Sequence, residues 1–144
     1  MVKMKKAIAT NNAPGAIGPY SQALAANGFL FISGQMPVNP ATGNVVDGGI
    51  TEQTEMVMKN LEAILKEAGC TFDNVVKSTC YLSDIANFGA MNAVYGKYFK
   101  QDLPDPAHSS DVRRCPRVSY ECSFHSHWVE PTPLRLPRAA RQGT

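Results

Sequence analysis

The sequence predicts an α+β domain, with two helices laid over one face of a mixed β-sheet. Three observations predict it. Short apolar runs flank an Asn-Gly pair, a long stretch carries apolar residues at helical spacing, and the chain order is strands, helix, strand, helix, with further strand expected after them. At 144 residues and 44% hydrophobic composition, the chain has one domain's length, enough for a single core but not for two.

Residues 5–10 suit a short first strand. The run "ALAANGFLFISGQ" reads as a hairpin, because Asn27-Gly28 has the residues that tolerate the positive φ of a tight turn. Phe29, Leu30, Phe31 and Ile32 are apolar without alternation, the pattern of a strand buried on both faces, and the strand stops at Ser33-Gly34-Gln35. In "MPVNPATGNVVDGG" prolines, glycines and asparagines break every period and imply a long surface loop, a kind of segment that often carries function. Over residues 51–68, Val57, Leu61, Ile64, Leu65 and Ala68 share a helical stripe, with Lys59, Glu62, Lys66 and Glu67 opposite. Thr51 is the expected N-cap, Glu52 and Glu55 suit the positive end of the dipole, and Gly69 suits the exit. Residues 75–82 alternate and are rich in β-branched side chains, a strand. A second helix over residues 87–99 places Phe88, Met91, Tyr95, Tyr98 and Phe99 on one stripe.

A net charge of +2 with 18% charged residues gives no electrostatic footprint for DNA, RNA or an anionic membrane. The start, "MVKMKKAIAT", is basic but meets no apolar segment of signal-peptide length, and nothing approaches a membrane span, so a cytoplasmic protein is expected. Cys70, Cys80, Cys115 and Cys122 lack CxxC spacing and read as free thiols, with neither zinc nor a disulfide framework signalled.

The last forty residues change character. All eight lysines precede Asp105, while all six arginines and all three histidines follow it. Both residues are ordinary surface cations, so a complete exchange at one point has no physical reason within a domain. From Pro131 on, "PTPLRLPRAARQGT" has too few spaced apolar residues for a core. A domain over residues 1–124 and a poorly ordered Pro/Arg-rich tail over 125–144 are expected.

Candidate site residues begin at "AIGPYSQA". Tyr20, after Gly-Pro, is either a packed turn aromatic or one wall of a site. Ser33, at a buried strand's end, either meets a substrate or satisfies a backbone group. Together with "TNNAPGAIGPYSQA", the segments "FLFISGQMPVNPATG" and "VVKSTCYLSDIANFGAMNAVYGKYF" and the helix between them resemble the RidA (YjgF, reactive intermediate deaminase A) family, also catalogued as L-PSP endoribonuclease-like proteins. The resemblance covers residues 5–104. It implies a chorismate-mutase-like fold, a homotrimer with clefts between subunits, no cofactor, and hydrolysis of 2-imino and enamine acids to 2-keto acids and ammonia. Such a substrate offers a carboxylate and an electrophilic carbon, so its site must grip the anion, position water and move protons. The resemblance places Tyr20, Ser33 and Gly34 in the pocket, and Phe88 and Asn92 at its mouth. By themselves Phe88 equally fits the core, and Asn92 a brace for its helix.

After Pro104 the resemblance needs gaps. Pro106-Ala107-His108-Ser109 then lies over the family's Pro-Ala-Arg-Ser, whose arginine binds the carboxylate, and His108 takes that place. The functional glutamate of the final strand falls at Ser119, with Glu121 two residues on and on the same strand face. A change of reading frame or an alternative exon near residue 105 accounts for the switch, against a native divergent ending. One histidine binds a carboxylate through a single nitrogen and mainly when protonated, so an impaired enzyme is implied. His125 and His127 share a face but lack a third ligand, and no metal is expected. Three functions compete: the deaminase, a non-catalytic trimer that binds small molecules or proteins, and an endoribonuclease or translation inhibitor. The dispersed lysines, without an aromatic-lined cationic groove, disfavour the last.

Overall fold

The computed structural model describes residues 5–75, 77–99, 105–107 and 120–121. The expectations for His108, the domain limit at residue 124 and the tail lie outside the described residues.

Three antiparallel strands, β1 (Lys5–Ile8), β2 (Ala23–Ala26) and β3 (Phe29–Ile32), form a sheet in chain order, with Ile8 opposite Ala23 and Ala23 opposite Ile32. The first strand stops at Ile8, short of the expected residue 10, because the Thr10 amide and carbonyl bond to the Gln22 side chain instead of a ladder. Asn27 and Gly28 take φ of 51° and 82°, the primed turn whose twist matches a two-residue hairpin. The expectation that β3 is buried on both faces is corrected. Leu30 and Ile32 are buried, whereas Phe29 and Phe31 are half-buried, so within one chain the strand has a covered face and a partly open one.

Helix α1 (Ile50–Glu67) lays its apolar stripe on that sheet, with Val57, Met58 and Ile64 fully enclosed. Burial of each such side chain contributes about 1.5–3 kcal/mol. The N-cap is Gly49 and not Thr51, which lies exposed inside the first turn. Glu52 supplies the capping contact by accepting from the Gly49 N–H at 2.9 Å. Gly48 makes this approach feasible: it sits at φ +117°, where a Cβ would meet the Glu52 side chain at 2.8 Å. Gly69, at φ +76°, ends the helix as expected, with its N–H on the Lys66 carbonyl and that of Cys70 on the Leu65 carbonyl at 2.8 Å. Asn60, inside the buried stripe, donates to the carbonyls of Met36 and Val38 at 3.2 and 2.9 Å and fastens the long loop to the helix. That loop is further closed by a Val38–Val45 bridge.

The strand expected over residues 75–82 is two short ones. Val75 is taken by the C-cap of a 3₁₀ turn (Phe72–Asn74), β4 is Lys77–Thr79 and β5 is Tyr81–Leu82. The halves have different partners: β4 runs parallel to β6 (Asp105–Ala107), and β5 antiparallel to β7 (Tyr120–Glu121). Pairing is thus mixed, as expected. Helix α2 (Phe88–Tyr95) follows a 3₁₀ turn (Ile85–Asn87) and packs against α1. It ends at Tyr95, not residue 99, because Lys97 and Tyr98 donate to the carbonyls of Val94 and Tyr95 in tightened turns. The apolar stripe nevertheless persists: Phe72, Tyr95, Tyr98 and Phe99 form an aromatic cluster with centroid separations of 4.6 to 5.4 Å.

Candidate functional site

Two segments flanking the β2–β3 hairpin meet at its open end. Ser33 leaves β3 and donates its N–H to the Gln22 carbonyl at 3.0 Å, and its hydroxyl donates to the Ser21 carbonyl at 2.6 Å. This brings Ser33 beside the residue that follows Tyr20. With its proton on Ser21, the Ser33 hydroxyl presents lone pairs to any other partner. Gln35, itself buried, donates to the carbonyls of Ser33 and Gly34 at 3.0 and 3.4 Å and holds that bend. Gly34 is exposed there.

Tyr20 is 50% exposed, so it is not a packed turn aromatic in the single chain. Its amide donates to the Gly18 carbonyl at 2.8 Å, and its hydroxyl accepts from the Ile17 N–H at 3.3 Å. The ring is folded over its own loop with the phenolic proton still to give. Tyr20 is thus left with a donor and Ser33 with acceptor lone pairs, on two segments that the Ser33–Ser21 hydrogen bond ties together.

Beside Tyr20 runs an open concavity of about 690 Å³, walled by Thr10, Asn12, Tyr20, Ser21, Gln22 and Glu67, and Ser33, Gly34, Phe88 and Asn92 do not line it. Among the described residues no lysine or arginine lines it, and Glu67 is its charge. The described lining is suited to polar, neutral or cationic groups.

The second helix contributes less directly. Phe88 is half-buried against the core, and Asn92 stands exposed on α2 with its carbonyl engaged by the Gly96 N–H at 2.9 Å. Glu121 lies in β7 opposite Tyr81. His108 is outside the described residues, directly after the β6 segment whose Pro106 pairs with Ser78. Cys70 is a buried thiol, its pKa pushed up by burial, and Cys80 is half-buried. A resting thiol so buried is a packing group.

Gln22 carries no signal in the sequence pattern. It is 5% exposed and makes four side-chain hydrogen bonds to residues 10–14. A polar residue at the start of a strand gives no periodic signal, and its one mark was its place directly after Tyr20-Ser21.

A family profile described as "Endoribonuclease L-PSP" matches residues 10–119, running on past Pro104. The chain is 46% identical over 116 residues to the Mus musculus protein named 2-iminobutanoate/2-iminopropanoate deaminase, covering 81% of this chain and 85% of the relative. The fold matches the crystal structure of a Rid-family protein of Yersinia pestis at a TM-score of 0.78 and 40% identity, covering 85% of this chain and 98% of that one. It also matches E. coli TdcF with bound serine at 0.77 and 31%, covering 88% and 99%. The hairpin and the two helices are thus those of a known fold, and the chain belongs to the endoribonuclease L-PSP family, the family of RidA.

Proposed function

We propose that this chain hydrolyses small 2-imino acids and their enamine tautomers to 2-keto acids and ammonia. The observation that carries the reading is the 2.6 Å hydrogen bond from Ser33 to the Ser21 carbonyl, which ties the serine to the residue after Tyr20, whose hydroxyl has a proton to give. The name of the mouse relative and the serine bound to TdcF support the same class of small amino-acid-like ligand. In the reaction R–C(=NH)–COO⁻ + H₂O → R–CO–COO⁻ + NH₃, water adds to the imine carbon, its proton passes to nitrogen, and the carbinolamine expels ammonia. Ser33 accepts from the imine N–H or the attacking water, Tyr20 donates to the developing amine or hydroxyl, and Glu121 takes the water's proton. Gly34, Phe88 and Asn92 shape the pocket.

The carboxylate needs a cation, which no described residue lining the concavity beside Tyr20 supplies, and His108 fills that place in our reading. A protonated imidazole offers one contact where a guanidinium offers two, so turnover is slow. The working unit is a homotrimer whose subunits meet over the half-buried face of Phe29 and Phe31, with the site completed between copies. No cofactor takes part.

Freshly generated 2-iminopropanoate tests the reaction directly, by ammonia release above the uncatalysed rate. A folded protein that leaves that rate unchanged overturns the enzyme reading and leaves a binding protein. Light scattering tests the assembly, and a clean folded monomer would sink it.

A further inference from the structure

Residues 15–20 all stand exposed between two anchored points, and Ile17 at the loop's crest is 94% exposed. One side chain makes the anchors. Gln22 Oε1 accepts from the Thr10 N–H at 2.6 Å, and Nε2 faces the carbonyls of Thr10, Ala13 and Pro14 at 3.0, 3.3 and 2.8 Å. An amide nitrogen has two protons, so three acceptors within reach engage both of them. The backbone carbonyl of the same residue holds the Ser33 N–H. A single buried residue therefore joins three segments: the entry to the loop at 10–14, its exit into β2, and the end of β3 that carries Ser33.

We propose that Gln22 is a positioning residue, clasping the two feet of the 15–20 loop so that the Tyr20 hydroxyl is held in register with that of Ser33. The inference rests on the reading of Tyr20 and Ser33 as the reacting pair. It also explains the residue type. Methionine fills a similar volume but leaves the Thr10 amide and the carbonyls unpaired. Glutamate keeps the acceptor for Thr10 but aims a second oxygen at the carbonyls, which drives its carboxyl to protonate and, once protonated, to donate to one of them. Glutamate is thus a clasp that closes only in acid.

Gln22→Glu and Gln22→Met decide this, compared with the unmodified chain by amide hydrogen exchange over residues 10–21 and by turnover of 2-iminopropanoate between pH 6 and 9. At the alkaline end both variants are expected to lose protection in residues 10–21 while α1 keeps its own, and kcat to fall about ten- to a hundredfold, the scale of a small misplacement of a reacting group. On acidification Gln22→Glu regains protection and turnover, normalised to the unmodified profile, and Gln22→Met does not. Unchanged protection in folded variants overturns the clasp. Lost protection with full turnover overturns the positioning role. If the unmodified chain has no turnover, the deaminase reading and with it the positioning role fail, while the exchange measurement still decides the clasp. If Gln22→Met does not fold, the pH reversal in Gln22→Glu decides alone.

Discussion

Either side of the β2–β3 hairpin, residues 10–22 and 33–35 are fastened largely by side chains of Gln22, Ser33 and Gln35 on backbone carbonyls, whereas residues 50–99, together with Leu30 and Ile32 of the hairpin, are held largely by apolar and aromatic burial. The difference has a physical consequence. A hydrogen-bonded clasp is local and depends on one donor's geometry, so removing it frees a loop and leaves the rest folded. Apolar packing is shared among many contacts, so removing part of it lowers the stability of the whole. The proposed site residues Tyr20 and Ser33 belong to the first region, where a change need not weaken the second.

The largest expected effect breaks the packed region. Ile64 is fully enclosed in α1, and Ile64→Ala is expected to cost about 2–5 kcal/mol of unfolding free energy, the range for large-to-small changes in a core. Urea denaturation measures it. Hydrogen exchange in residues 10–21 should report only this global loss, with no extra local opening. Local opening there as large as that from a Gln22 variant would show that the two regions are not separable.

Next in size is a change in neither region. In the proposed register, His108→Arg gives the carboxylate a two-pronged partner and is expected to raise kcat/KM by tens to several hundredfold, the equivalent of about 2–4 kcal/mol for a charge-assisted pair. Before substitution, activity carried by imidazolium should rise as pH falls toward about 6, where histidine gains its proton. After it, that rise should vanish, because arginine is charged throughout. A well-folded trimer with no gain from His108→Arg rejects the register that lays residues 106–109 over Pro-Ala-Arg-Ser.

These regions were unequally legible in the sequence. Val57, Leu61, Ile64 and Leu65 announce α1 because burial on a helix has a period, and Asn27-Gly28 announces the hairpin because few residues accept positive φ. Element ends were harder. Thr51 is a good cap by type, but Gly48 and Gly49 let Glu52 fold back one turn earlier, and only coordinates show that choice. The half-open face of β3 is equally invisible, since Phe29 and Phe31 look alike whether covered by the same chain or by another. At the site, Tyr20 and Ser33 were reached through resemblance. Gln22 was missed because a buried carboxamide bonds to carbonyls that every residue has, leaving no partner type to look for.

The smallest effect sharpens the comparison from the other side, by testing a hydrogen bond set within the packed region. The Tyr98 hydroxyl donates to Glu55 Oε2 at 2.7 Å, Lys97 Nζ stands 3.6 Å from Oε1, and the Tyr98 ring lies 5.2 Å from Phe72. Burial, then the bond and charge of Glu55, then the more distant Glu62 push the Tyr98 pKa up. A hydroxyl whose pKa is higher folded than unfolded adds stability that is complete below the unfolded value of about 10 and is lost as pH rises through the folded one. Tyr98→Phe keeps the ring packing and the Lys97 contact, and Glu55 reaches water, so at about pH 8 the loss should be only about 0.5–1 kcal/mol. Above about pH 10 the unmodified chain gives up this contribution and the variant has none to give, so the gap between their unfolding free energies should narrow. Urea midpoints of the two proteins at both pH values measure the gap. A gap that stays constant or widens would mean that Glu55 does not hold the Tyr98 proton, and that ring packing and the Lys97–Glu55 pair hold this corner without it.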